Sequence, residues 1–290
     1  MPVGVPNLVN MKDAKIDLAD EQLLDGFDEI ENSIYNGVDA QLNQFEQKEG
    51  KVLFNDFNLL LVAGLAAYII NSIQNSNYPE SVRRYLQNFD AVEDLNLKIH
   101  HYQSDIDLKK LLGVVDGLKN ASVAQTTRDL TGTGVETEFI KPLTELIYRN
   151  VVSGASLTDL KKSVEEFIKG TEDKNGVFRK YVSRMSRDAL YQYDGLLNSR
   201  IADAFGMDGF LYLGTLIQDS RPQCVRWVGM RLLAKKDMPA ELRYAENYGS
   251  GLIPGTTADN FSIYRGGYNC RHTALPVKLT PELKARFGMK

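Results

Sequence analysis

The sequence predicts an α+β protein that is predominantly α-helical. A helical N-terminal body spans about residues 1–205, followed by a small irregular α/β C-terminal domain. Three observations point there. Apolar residues recur at intervals of three and four through much of the first 205 positions, the spacing of one helix face. Of the nine prolines only Pro79 and Pro142 fall between residues 7 and 221, whereas five follow residue 220, and 12 of the 23 glycines follow residue 170. A proline-poor stretch can stay helical, but one rich in proline and glycine must turn often. Finally, Gly209–Ile217 is short, aromatic and β-branched, the composition of a strand.

Size and composition set the outer limits. The chain has 290 residues, 43% hydrophobic and 25% charged, room for two ordinary domains and typical of a globular protein. Wholesale disorder, low complexity and a multi-span membrane protein are excluded. Two cysteines cannot form a disulfide framework. The opening Met-Pro-Val-Gly-Val-Pro-Asn has no basic n-region before an apolar h-region, so no signal peptide is expected. The net charge of −4 conceals a gradient: residues 1–50 carry 11 acids and 3 bases, and residues 171–290 carry 12 acids and 18 bases. Solvated helix faces explain this, and so does a polar molecule with one end toward protein and the other toward a polyanion.

The first helix is expected over about Asp20–Gln47, where Leu23, Phe27, Ile30, Ile34, Val38, Leu42 and Phe45 form one stripe. The run Leu59–Ile70 is twelve residues, short of the roughly 20 that cross a bilayer. Its polar flanks lack a lysine or arginine anchor. It is expected as a core helix buried on all sides, with no membrane span. Helices follow at about 79–88, 91–102, 105–119, 134–153 and 156–169, with a hinge expected at Thr126–Glu138. His100 and His101 are adjacent, so their rings diverge by about 100° on a helix and cannot clamp one metal; they read as structural or surface residues. The last long helix runs from about Lys174 to Phe205 and ends before Gly206, a usual stop. Its Arg179, Lys180, Arg184, Arg187 and Arg200 are either solvated, paired with Asp188, Asp194 and Asp203, or a stripe facing DNA or a partner.

The expected domains are therefore a protein-docking helical body, 1–170, and a C-terminal domain, 171–290. In the latter, Asp219 or Ser220 can cap a short helix with Pro222 in its first turn. Cys224 and Trp227, three apart, share a face of that helix. A loop-rich stretch, Met238–Gly267, leads to Tyr268–Val277, which ends as a closing strand.

This order of pieces resembles the C-terminal domain of the phage Mu F-like head morphogenesis proteins, the minor head proteins of tailed bacteriophages. There a long helix leads to a strand ending in a D-x-R-x-x-C or D-x-R-x-x-H segment, then a glycine, a proline- and glycine-rich loop, and an N-C-R-C segment. The matching residues are Asp219, Arg221, Cys224 and Gly229, then Asn269, Cys270 and Arg271, across roughly residues 175–280. The last cysteine of the family segment is His272 here, and Gly267 and Tyr268 stand where a histidine often precedes it.

The resemblance implies a structural virion protein of the head or neck, assembled in a host bacterial cytoplasm. Its partners would be the portal or major capsid protein, with non-specific double-stranded DNA as a further one and ring-associated copies conceivable. It implies no enzyme and no obligatory cofactor. Members with a fuller Cys/His set look able to hold zinc; here Cys224, Cys270 and His272 remain, with Asp219 the one evident fourth ligand. A Cys224–Cys270 disulfide, or two free thiols beside Trp227, are the other readings. Another phage neck or adaptor protein, and a Cys/His-dependent enzyme or toxin, remain open as alternatives.

Overall fold

The structure is a computed structural model and describes residues 4–104, 112–268 and 270–289. The first half contains α1 (Gly4–Leu24), α2 (Phe27–Leu42), β1 (Gln47–Lys48), β2 (Lys51–Val52), α3 (Asp56–Gln74), α4 (Tyr78–Leu86), α5 (Asn88–Ser104) and α6 (Leu112–Thr131). Next come α7 (Thr133–Val135), a π-helical turn (Glu136–Ile140), α8 (Lys141–Ser153), α9 (Leu157–Lys169), β3 (Gly170–Thr171), β4 (Lys174–Asn175) and α10 (Val177–Ala204). The chain closes with β5 (Gly209–Leu213), α11 (Pro222–Met230), β6 (Leu232–Ala234), α12 (Met238–Tyr248), α13 (Phe261–Tyr264), β7 (Thr273–Val277) and α14 (Pro281–Arg286). The protein is thus α+β and predominantly helical. Before residue 205 the described strands form only two-residue hairpins, β1–β2 and β3–β4.

Two compact units emerge, but not at the expected boundary of 170/171. Unit 1 comprises 1–18, 87–123 and 187–290; unit 2 comprises 19–86 and 124–186. A sequence boundary was the wrong kind of divider, because α1, α6 and α10 each supply residues to both units. The charge gradient flattens accordingly. Unit 1 holds 20 basic and 18 acidic side chains and unit 2 holds 14 and 20.

In unit 2, α2, α3, α8 and α9 pack in a ring, each on the next, as a four-helix bundle. One apolar stripe per helix fills it. Ile30, Ile34, Val38 and Leu42 meet Val62, Leu65, Ile69 and Ile73, with Leu143, Ile147, Val151 and Leu160, Val164, Ile168 opposite, all buried. Phe27, Tyr78, Phe139 and Phe178 cluster at one end with neighbouring ring centroids 4.8–6.0 Å apart, and the Tyr78 hydroxyl donates to the Leu130 carbonyl at 2.8 Å. Buried Asn58 ties the β1–β2 hairpin to α3: its Oδ1 accepts from Glu46 N, and its Nδ2 donates to the Glu46 and Leu53 carbonyls.

Several expectations in this region are corrected. The stripe from Leu23 to Phe45 is buried throughout, but it does not lie on one helix. The chain breaks at Gly26, whose φ of 70° is a left-handed conformation that glycine adopts without strain. Helix α1 also starts far earlier than expected, at Gly4. The Leu59–Ile70 run is not buried on all sides. It belongs to the 19-residue α3, which by length and composition alone could cross a membrane. Its inner face is covered, while Leu60 is 71% and Phe57 46% exposed. With Ala63, Ala66, Ile140 and Tyr148 it borders a broad apolar groove between α3 and α8. The expected hinge at Thr126–Glu138 is helical except at Gly132, where α6 ends. Part of the helix expected at 105–119 lies outside the described residues.

Unit 1 is built on a three-stranded antiparallel sheet in the order β6-β5-β7. Phe210 pairs with Leu233 and Pro276, and Tyr212 with Ala274. Successive β5 side chains alternate between faces, and both faces are covered. Phe210 and Tyr212 join Cys224, Trp227, Met238 and Phe261. Leu211 joins Val5 and Val9 of α1, Ile99 of α5, and Leu232, Leu275 and Val277. A strand covered on both sides needs the unbroken apolar run that Gly209–Leu213 supplies. The strand stops at Leu213, short of the expected Ile217.

A polar network also lies inside unit 1. Lys12 is fully buried and its Nζ donates to Asp194 Oδ1 at 2.5 Å. Asn96 Nδ2 reaches the same oxygen at 2.6 Å, and Asn198 Nδ2 reaches the Asp194 carbonyl at 2.9 Å. Of the adjacent histidines, His100 is buried and His101 exposed. With Asn198 Nδ2 engaged by Asp194, its Oδ1 is the atom facing His100 Nε2, at 2.8 Å, so Nε2 carries the proton. His100 Nδ1 has no partner, which fits a neutral ring.

Two outcomes test this fold. Leu65→Ala should cost about 2–5 kcal/mol, whereas Leu60→Ala on the same helix should stay within about 0.5 kcal/mol of the parent. Equal losses in urea unfolding would mean α3 is buried all round. For His100, burial lowers the pKa to about 4, against about 6.5 unfolded. The folded chain binds fewer protons between those values, so stability falls as pH drops through that window, by up to about 3 kcal/mol. Half-buried Asp13, pushed up to about 7 by desolvation, acts in the opposite sense. The stability gap between wild type and His100→Gln isolates the histidine. It should shrink by up to about 3 kcal/mol from pH 7 to pH 4, and a constant gap would exclude a buried neutral ring.

Candidate functional site

The segment after β5 turns before it becomes helical. Ser220 Oγ accepts from Ile217 N at 2.8 Å, closing the turn. Neither Asp219 nor Ser220 caps α11, as the sequence had suggested; Arg221 holds the N-cap position without a side-chain bond, and Pro222 opens the helix. Cys224 and Trp227 then face inward together, both buried. From the other direction the chain brings Cys270 and His272 in just ahead of β7, both buried as well. Asn269 lies outside the described residues.

These two segments meet at Tyr212. Its hydroxyl lies 3.5 Å from Cys224 Sγ and 3.4 Å from Cys270 Sγ, and its ring stacks on the His272 imidazole at 5.3 Å and 17°. His272 Nδ1 is 3.5 Å from Cys270 Sγ, and Nε2 has no partner. Both cysteines are free thiols in this structure. The thiols form an unequal pair. A hydrogen bond from Cys224 holds the Cys270 thiol well below its ordinary value, with His272 and Arg265 helping. The same bond, with burial, pushes Cys224 up. Among the described residues, Cys224, Cys270 and His272 are the group of potential metal ligands that converges, with ligand atoms within 4.8 Å of one another. A cleft of about 160 Å³ opens over them, bordered by Thr215, Asp219, Ser220, Arg221 and Arg271.

The neighbouring polar residues hold loops. Arg221 Nη1 donates to the Gly266 carbonyl at 3.2 Å, and its other terminal nitrogen donates to the Tyr268 carbonyl. Gln223 Nε2 donates to the Ser250 and Gly266 carbonyls at 2.7 and 3.1 Å. Arg226 grips Glu241 with two bonds of 2.8 and 2.9 Å, and Trp227 Nε1 donates to the same carboxylate at 3.0 Å; Arg226 holds that carboxyl below its ordinary range. Among the described residues no salt bridge joins Asp219 to an arginine. Asp219 and Arg271 are both exposed at the cleft mouth, where water outcompetes a weak pair. Gly229 is exposed with open space around it, and no contact explains it.

The basic residues of α10 do not form one stripe. At about 100° per residue, Lys180, Arg184 and Arg187 fall within about 60° of each other, but Arg179 and Arg200 lie elsewhere around the helix. Arg179 is committed to Asp28 and Glu31, and Arg184 lies 3.4 Å from Glu138. The expected partner Asp194 is taken by Lys12.

Four residues central to the site escaped the sequence reading: Tyr212, Gln223, Glu241 and Gly266. Strand alternation could have given Tyr212, since it shares a face with Phe210. Nothing local marks Gly266, whose importance is steric. A Cβ there would lie 2.3 Å from Cys224 Sγ and 2.8 Å from the Tyr212 hydroxyl. Gly266→Ala should therefore destabilise by about 1–3 kcal/mol through overpacking, whereas Gly229→Ala, in an exposed helical position, should gain up to about 1 kcal/mol. Thermal unfolding distinguishes them, and a neutral Gly266→Ala would contradict the close approach. Among known proteins, no family model, curated protein or solved structure matches this chain.

Proposed function

We propose that this chain is a structural component of a tailed-phage particle. It is a minor head protein associated with the portal or major capsid protein, serving head assembly, genome packaging or DNA delivery. One observation carries the reading. The segments Asp219–Gly229 and Cys270–Leu275, which resemble the paired segments of the Mu F-like head proteins, pack together through Cys224, Cys270 and His272 around Tyr212. Two further features support a building role over catalysis. Arg221 and Gln223 direct their donors at loop carbonyls, and Glu241 is held by Arg226 and Trp227. The outer face of α3 leaves Phe57, Leu60 and Ile70 uncovered, the kind of surface that subunits of an assembly carry.

The test is mass spectrometry of purified particles of the phage that encodes the chain. The protein should be present in a small number of copies relative to the major capsid protein and should persist through density-gradient purification. Particles assembled without the gene should be fewer or should lack DNA. Finding the chain only in the infected-cell lysate, with particles unchanged by its loss, would overturn the reading.

A further inference from the structure

We infer that Cys224, Cys270 and His272 form a binding site for a thiophilic divalent cation, zinc in the first instance, with a fourth position open to the cleft. The inference rests on geometry and donor chemistry and is independent of the role in a phage particle.

The distances come first. Tetrahedral zinc has Zn–S of about 2.3 Å and Zn–N of about 2.0–2.1 Å, so the sulfur-to-nitrogen edge of such a site is about 3.5 Å. Cys270 Sγ and His272 Nδ1 are already 3.5 Å apart. Cys224 Sγ completes a triangle whose atoms lie within 4.8 Å. The donor set is two sulfurs and an imidazole nitrogen, which selects zinc over the oxygen-seeking magnesium and calcium.

Next is what holds the ligands. The three come from two segments fixed by different means. Cys224 sits on the first turn of α11, whose start is anchored to the 250–268 loop by Arg221 and Gln223. Cys270 and His272 sit at the entry to β7, which pairs with β5 along its length. Tyr212 belongs to β5 and touches all three, stacked on His272 and hydrogen-bonded to both sulfurs. An O–H donated to a ligating thiolate is the kind of outer contact that orients a metal ligand. Gly266 keeps the backbone clear, since a Cβ would lie 2.3 and 3.0 Å from the two sulfurs.

Packing alone leaves something unexplained. His272 is buried with Nε2 unpartnered and its other nitrogen on a sulfur. A buried imidazole set against two thiols is an odd choice of residue for a purely apolar contact. Ligation through Nδ1 would use the nitrogen that already faces a sulfur, and it leaves Nε2 as it is. Asp219 borders the cleft but is not in the converging group, so solvent completes the fourth position.

The full-length chain, reduced and stripped of metal, should take up one zinc ion per chain. With cobalt in its place it should show a thiolate-to-metal charge-transfer band and the intense visible bands of tetrahedral coordination. Cys270→Ser and Cys224→Ser should lose the charge-transfer intensity and the zinc, and His272→Asn should keep a thiolate band but bind more weakly. Tyr212→Phe should retain the spectrum with affinity lowered about 10–100-fold. Circular dichroism of the metal-free proteins checks that each variant is folded, and zinc should raise the Tm of wild type but not of Cys270→Ser. A folded, reduced wild-type chain that gives no thiolate–cobalt band, or a folded Cys270→Ser chain that binds zinc as the wild type does, would overturn the site.

Discussion

The fold of unit 1 hangs on a charge pair from which water is excluded. Lys12 and Asp194 are 0% and 1% exposed, and they lie 182 positions apart in the chain. Removing one partner of such a pair leaves a buried charge uncompensated, a loss of about 3–5 kcal/mol. That penalty is what fixes α1 against α10. Asn96 of α5 bonds the same carboxylate oxygen, and Asn198, one turn on in α10, bonds Asp194 and sets His100. Three helices from distant parts of the chain are thereby held in one register, because a helix rotated or slid by one turn would break the bonds it makes across to its neighbours.

That register has consequences at the sheet. The start of α1, with Val5 and Val9, and Ile99 of α5 cover one face of β5, and the opposite face carries Tyr212 toward the cysteines. A five-residue strand in a three-stranded sheet is a weak platform by itself. Covering both faces makes it rigid enough to hold a hydroxyl 3.4–3.5 Å from two sulfurs. The N-terminal helix therefore belongs to the architecture of the candidate site although no residue of it reaches the cleft. This also explains why a boundary at 170/171 fails: the C-terminal third lacks the cover for its own sheet.

The class of the fold and the meeting of Cys224 with Cys270 were legible because each leaves a local signature. Helical stripes repeat every three to four residues, and proline avoids them. The two short motifs sit where a resemblance could be recognised. What escaped detection depended on three-dimensional partners. A twelve-residue apolar run says nothing about how much of its surface will be covered, so the expectation of burial all round fails at α3, whose outer face is open. Gly26 lies inside an unbroken apolar stripe, and a break there preserves the stripe while changing the direction of the chain. Arg179 and Arg184 look free along the sequence because their acids, Asp28, Glu31 and Glu138, are far away in it. Charge counted along a chain overstates polarity wherever partners of opposite sign come from elsewhere.

The two buried histidines show how surroundings separate a structural ring from a candidate ligand. Each has one bare nitrogen. His100 faces an amide oxygen that is itself locked by Asp194, and Lys12 nearby opposes any positive charge. No soft donor converges on it, so its ring can only stay neutral and fill space. His272 faces a sulfur, with a second sulfur close by and a cleft above. Its ring is oriented by stacking on Tyr212 rather than by an amide. Two sulfurs and an imidazole nitrogen brought together beside an opening are the donor set a thiophilic cation takes. Burial alone makes a histidine structural; burial beside two thiols and an opening to solvent gives it chemistry.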